Sequence, residues 1–416
     1  MSADNIQTSL GAPESTTLRE RNFILVLANQ FLAYVSNQLI LPVIPLFLAG
    51  QGHAESFIGL VIAAFNVTSF SARPVFGRWV DQGHPRAALT ASCVLLSIAS
   101  WAYLIPNMLV LFVVRAVHGL GWAGVNAVSS AWVAHLAPTN RRAEAVGYFT
   151  VTQSSTVAFA PVIGIWLFNN YGFAPTFTIA GIVAAISVVV ILQAKERTVH
   201  TATSNSGSAA LYSSAKPSLL NRMIEPSALL STLLLAAMQV NVPAFSSYVP
   251  LYFMSLSVTG VEVFFLASGI SSMLGRGMLG RFADRIGRLQ SIALGSTIQL
   301  LGLALMGQSR DLIGLTLGGV TLTLGQSMSH PSLYALVIDR AAAERRGAAL
   351  ATYTMGFQLG SGVGAVIYGF VIQYLGYQVM YQLSLLPVIG ALVATLIVWL
   401  RNDRSARGHS NQDTHQ

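Results

Sequence analysis

Arg115 and His118 stand one helical turn apart inside the apolar run LVLFVVRAVHGLGWA, with Trp122 a turn further on. A guanidinium is a permanent cation whose fork of donors suits a carboxylate or phosphate. An imidazole titrates near neutrality and can pass a proton. Similar groups recur at helical spacing in three other apolar runs. Gln30, Tyr34, Asn37 and Gln38 fall on one helical face. Gln239, Asn241, Ser246 and Tyr248 form a second set, and Thr323, Gln326, His330 and Tyr334 a third. Amides, hydroxyls and rings hold a solute; they do not break one. No nucleophile is paired with a base, and no His, Cys and carboxylate set has metal-ligand spacing. Lys195 and Lys216, the only lysines, follow no phosphate-binding loop. The expectation is a binding pathway that is not an enzyme, with no cofactor, metal or nucleotide.

The runs that carry these groups must cross a bilayer. Hydrophobic residues make up 53% of the 416 and mean hydropathy is +0.61, more apolar side chain than a water-soluble core can enclose. A spanning helix needs about 20 mostly apolar residues. Twelve such runs can be marked: 23–48, 57–77, 87–106, 108–133, 145–168 and 173–194, then 227–254, 261–280, 289–308, 312–338, 347–373 and 379–400. None shows the period of a barrel strand. The predicted fold is an all-α membrane protein of twelve transmembrane helices in two six-helix bundles. Residues 1–195 form the first bundle with its tail, 196–225 a polar linker, and 226–416 the second bundle with its tail.

Charge gives the orientation. The formal net charge is +8, and nearly every basic residue falls in alternate loops, with Arg310 alone on the opposite side. By the positive-inside rule both termini and the linker are cytoplasmic, in a multi-pass protein of the plasma (inner) membrane. The basic pI is thus a topology signal, and no nucleic-acid partner is expected. The opening residues lack the pattern of a secretory signal and read as a polar tail. Cys93, the single cysteine, excludes an intrachain disulfide.

The chain repeats itself. ARPVFGRWVD (72–81) aligns with GRGMLGRFAD (275–284) at an offset of 203 residues, so that Arg73, Gly77, Arg78 and Asp81 match Arg276, Gly280, Arg281 and Asp284. Arg141 and Arg142 match Arg345 and Arg346 at an offset of 204, as Gly121 and Gly172 match Gly325 and Gly376. Two anchors at nearly one spacing describe parallel structural repeats. GRFADRIGR (280–288) then resembles the signature G-x-x-x-D-R-x-G-R of the major facilitator superfamily. The first copy, GRWVDQGHPR, keeps Gly77 and Asp81 but has Gln82 where the family usually has Arg. RAVHGLGWA (115–123) resembles the helix-4 motif and VAFAPVIG (157–164) a worn helix-5 antiporter motif, and the likeness across 325–376 is to bacterial drug and sugar efflux carriers.

The resemblance implies alternating access around a cavity lined by spans 1, 4, 7 and 10. It implies that Gly77, Asp81, Gly280, Asp284 and Arg285 act as a conformational latch. Arg288 joins them, since Arg285 and Arg288 can pair with Glu144 or Asp339 when one end of the bundle pair is closed. It further implies a monomer that exports a small organic molecule, drug, sugar or metabolite, in exchange for protons. Arg115 reads as the one arginine well inside a span. A charge there is costly unless hydrated or paired, so it is expected to hold an anionic group or bias a neighbour's protonation. None of the fifteen acids lies at mid-span, which leaves Glu262, His118 and His330 as candidates for carrying a proton, if any residue does. It also leaves room for an importer or facilitator of an organic anion or sugar, and for a non-transporting receptor on the same scaffold.

Overall fold

The computed structural model describes residues 20–138, 141–195, 225–342 and 345–413. The expected linker lies almost wholly outside the described residues. Eight stretches are both long and apolar enough to cross a bilayer, and one of them, Ala348–Arg401, holds two crossings. Helices Pro85–Ala102, Val261–Ile286 and Leu312–Arg340 pack among these. Together they make twelve spans among the described residues, numbered here in chain order.

The boundaries follow from local chemistry that the two halves share. Asn107 opens span 4 (Met108–Leu136) by accepting hydrogen bonds at Oδ1 from the Leu109 and Val110 amides, at 3.0 and 3.1 Å. Asp311 opens span 10 in the same way, accepting from Gly314 N at 3.4 Å. Such caps satisfy amides that a helix start leaves without partners. Gly172 separates span 5 (Arg142–Tyr171) from span 6 (Phe173–Leu192) at φ 81°. Gly376, 204 residues on, bends spans 11 and 12 apart at φ 84° within the continuous run Arg346–Asp413. Only glycine takes that backbone without strain.

Two expectations need correction. Spans 1 and 7 are not single helices. Span 1 is Arg21–Ile40 followed by Val43–Gly50, broken at Leu41–Pro42. Span 7 is Leu229–Gln239, Val242–Ser246 and Val249–Ser255, with Pro243 and Pro250 at the starts of the last two pieces. Proline has no amide to continue a helix and is tolerated in its first turn, so each proline fixes where a piece begins. Spans 2 and 8 also run further than hydropathy indicates. They are Glu55–Asp81 and Val261–Ile286, so the charged signature is the last turns of a helix rather than a loop.

The two bundles meet along two seams, span 2 with span 11 and span 5 with span 8. The repeat relates one seam to the other. A Cβ on Gly362 would come 3.2 Å from Asn66, and one on Gly269 would come 2.5 Å from the Ala158 Cα. Asn66 and Gly269 are 203 residues apart, Ala158 and Gly362 are 204 apart, and so the same contact is made twice. A Cβ on Gly59 would come 2.3 Å from the Ala365 carbonyl and one on Gly369 2.6 Å from that of Glu55, which continues the first seam to its far end, the end remote from the termini. The apolar cores follow this division. One cluster at the far end takes residues from both halves, among them Leu39, Phe47, Phe177, Tyr248, Phe253 and Tyr368. Toward the termini there are two clusters, one around Phe23, Ala72 and Trp132, the other around Leu235, Leu333 and Tyr353. The halves are fused at the far end and separate at the near end.

Candidate functional site

The polar faces of spans 1 and 4 meet in the first half. Tyr34 donates through its hydroxyl to Asn126 Oδ1 and accepts at 2.6 Å from Gln153 Nε2, so one phenol ties spans 1, 4 and 5. Trp122 packs on Tyr34 with ring centroids 4.4 Å apart, and Phe65 of span 2 lies beside it. Gln30 is fully buried with both amide atoms lacking partners. Asn37 donates to Gln38 Oε1 at 3.4 Å while its own Oδ1 is buried without a donor.

Arg115 is 1% exposed, and its guanidinium carbon lies 4.2 Å from the centre of the Phe65 ring. Its Nε and Nη1 have no hydrogen-bond partner. His118 is held by the Tyr103 hydroxyl, 3.1 Å from Nδ1, and its Nε2 is likewise buried without a partner. Gly119 lets the helix carrying both residues press against span 2, where a Cβ would come 2.4 Å from the Phe65 carbonyl. A charge enclosed in this way is stabilised by the aromatic face.

In the second half, Asn241 donates to the Ser384 carbonyl at 3.0 Å and accepts from the Tyr368 hydroxyl, bracing the break in span 7. Tyr248 is fully buried and donates to the Ala365 carbonyl at 2.9 Å, on the span 11 surface that faces Gly59. Ser246 bonds back to Val242. Gln239 is buried with its amide unpaired. Thr323 and Ser271 share a hydrogen bond of 2.6 Å between spans 10 and 8. Gln326 and His330 are half-buried on the same face, His330 with Nε2 unpartnered, and Tyr334 stacks edge-on against Tyr353. The four spans thus bring most of their named residues inward, with Tyr248 in the far-end core and Tyr334 at 43% exposure.

Arg115 is not the only arginine well inside a span, which corrects the expectation. Because span 2 continues to Asp81 and span 8 to Ile286, Arg73 and Arg276 stand more than two turns from those ends. Arg73 lies near Tyr34, and Arg276 near His330. Arg276 Nη1 also crosses the seam to donate to Ser154 Oγ. Sequence reading missed these two as site residues, together with Asn126, Gln153 and Ser154. The repeat that matched Arg73 to Arg276 was the signal that could have found them.

The expected latch residues are differently placed. Arg288 does meet Asp339, at 3.4 Å, but both belong to the second half. Glu144 is taken by Arg141, three residues earlier, in a two-pronged pair at 2.7 and 2.8 Å, because a neighbour on the same helix start is always within reach. That carboxylate holds the Arg141 guanidinium above the usual arginine range. Arg345 pairs with Glu225 at 2.6 Å, again inside one half. Arg285 is exposed, and a Cβ on Gly77 would meet nothing within 4 Å. Asp81, Gly280 and Asp284 occupy helical backbone, and their side-chain surroundings lie outside the described residues. At the far end, Glu262 accepts from Asn169 at 2.5 Å beside a cavity of about 370 Å³ lined also by Phe168 and Phe253, well away from the polar faces.

Comparison with known proteins completes the picture. The family model described as Major Facilitator Superfamily matches residues 26–309 and 278–415. The chain is 22% identical over 390 residues to the uncharacterized MFS-type transporter MJ1560 of Methanocaldococcus jannaschii, covering 92% of this chain and 99% of that protein. It is 22% identical over 386 residues to the quinolone resistance protein NorA of Staphylococcus aureus, covering 89% of this chain and 94% of that one. Its fold is similar to that of a D-xylose-proton symporter, with a TM-score of 0.73 at 15% identity over 91% of this chain and 97% of the other. Matched along nearly all its length and built of twelve spans in two related bundles, the chain belongs to the major facilitator superfamily of membrane transporters.

Proposed function

We propose that this transporter works by alternating access and exports a small organic molecule across the plasma membrane in exchange for protons, with both termini in the cytoplasm. The observation that carries the reading is the division of the core. One apolar cluster joins the halves at the far end, while separate clusters leave the near end parted. Under the positive-inside orientation this is a state open to the cytoplasm, the side from which an exporter loads. Its polar faces, rich in amides and rings, suit an organic solute held by a few hydrogen bonds and stacking. Similarity to a quinolone resistance protein over most of both chains supports export.

Inverted membrane vesicles test the proposal. Imposing a proton gradient, acid inside, should drive uptake of a fluoroquinolone or another member of a drug and metabolite panel, and collapsing the gradient should abolish it. Equilibration that ignores the gradient would replace exchange with the facilitator reading, which the intramembrane arginines also permit.

A further inference from the structure

We propose that Arg73 and Arg276 form a paired site for an anionic oxyacid group, a carboxylate, sulfonate or phosphate, on the two walls of the near-side cleft. The inference rests on the transporter reading above and names the substrate class of that pathway.

The two arginines occupy equivalent positions of spans 2 and 8, 203 residues apart, so the fold presents one cation from each half. Among the described residues no carboxylate pairs with either; the ion pairs there are Arg141 with Glu144, Arg288 with Asp339 and Arg345 with Glu225. A cation inside a membrane protein is costly unless it is hydrated or given a counter-charge. Their surroundings repeat as well. Arg276 reaches across the second seam to Ser154. The counterpart of Ser154 in the first seam is Gln358, 204 residues later, which is 4% exposed with Oε1 lacking a donor. Arg73 is half-buried, and its Nε too is buried without an acceptor.

Both residues lie at the near edge of the seams, where the bundles part. Residues 276–278 of span 8 and 146–148 of span 5 are exposed, and a Cβ on Gly147 or Gly277 would meet nothing within 4 Å. Two guanidinium groups without a carboxylate partner among the described residues, one contributed by each half, call for an anion, and their planar forks match an oxyacid's paired oxygens. Arg115, sealed under Phe65, is not part of this site.

The test is thermal unfolding of the purified full-length protein in a neutral detergent. Sodium benzoate, sulfate and phosphate are each compared with sodium chloride at equal ionic strength, and benzoate also with benzyl alcohol. Saturable stabilisation by at least one oxyanion, and none by the alcohol, is expected. Arg73→Gln and Arg276→Gln should each raise the half-saturating concentration about tenfold or more, as loss of a charge-assisted hydrogen bond requires. The Lys variants should retain part of the response, and Arg310→Gln, in an exposed loop, all of it.

No oxyanion response, or one that both Gln variants keep, overturns the proposal. So does stabilisation by added phosphatidylglycerol alone, which would make the ligand a lipid headgroup. Anion binding through these arginines without proton-driven exchange in vesicles would instead refute the export mechanism and leave this site standing. Proton-driven transport of a neutral or cationic solute without any anion response would do the reverse.

Discussion

Arg115 shows how a single side chain is held against the cost of burial. With no carboxylate partner among the described residues and two donors unsatisfied, the charge lies between the Tyr103 hydroxyl and the Phe65 ring, whose centre is 4.2 Å away. A desolvated cation–π contact is worth about 1 to 2 kcal/mol. Phe65→Leu should therefore lower stability by roughly that amount beyond its packing loss, and Arg115→Met should remove the difference. A double-mutant cycle read by thermal or denaturant unfolding gives the coupling directly. Additive effects would show that ring and cation are merely adjacent. Helical periodicity makes the Gln30, Tyr34, Asn37 and Gln38 face legible in the sequence. It did not reveal Arg73 and Arg276, because the marked spans end at 77 and 280, one turn beyond each arginine, whereas the helices run on to Asp81 and Ile286. Pairings such as Tyr34 with Asn126 and Gln153 join residues far apart in sequence, and periodicity within one helix carries no information about them.

At the scale of the helices, the seams are built from glycine and alanine because backbones that touch leave no room for anything larger. Gly59 is the tightest point of the first seam, since a Cβ there would stand 2.3 Å from the Ala365 carbonyl. Gly59→Val must push the far ends apart. Overpacking costs about 1 to 3 kcal/mol, enough to shift a two-state population by about tenfold. With Cys93 replaced by alanine and Asn169→Cys introduced at the far end, maleimide labelling from that side should rise in the Gly59→Val background. Unchanged labelling would mean that the seam yields without opening. The repeat was readable from the signature and the Arg141–Arg345 anchor, whereas the glycine seam was not. Sequence identifies glycines that suit close packing without saying which helix they meet, and only the fold pairs Gly269 with Ala158 and Gly362 with Asn66.

For the whole molecule, the fused far core and the two separate near cores fit one state of the proposed alternating-access cycle, which requires a second in which the pattern inverts. Gly77 then has the opposite meaning to Gly59. It has open space around it here, yet the resemblance of its hairpin to the family signature implies close approach when the near end shuts. A side chain at Gly77 is thus cheap in the present state and costly in the other. Gly77→Val should leave thermal stability nearly unchanged while lowering far-side labelling of Asn169→Cys, and it should slow exchange in vesicles because the cycle cannot complete. The two valine variants move one reporter in opposite directions, which a general loss of stability cannot do. If Gly77→Val instead raised far-side labelling, the hairpin would not close the near end, and the latch role of Gly77, Asp81, Gly280 and Asp284 would have to be abandoned in favour of topology alone.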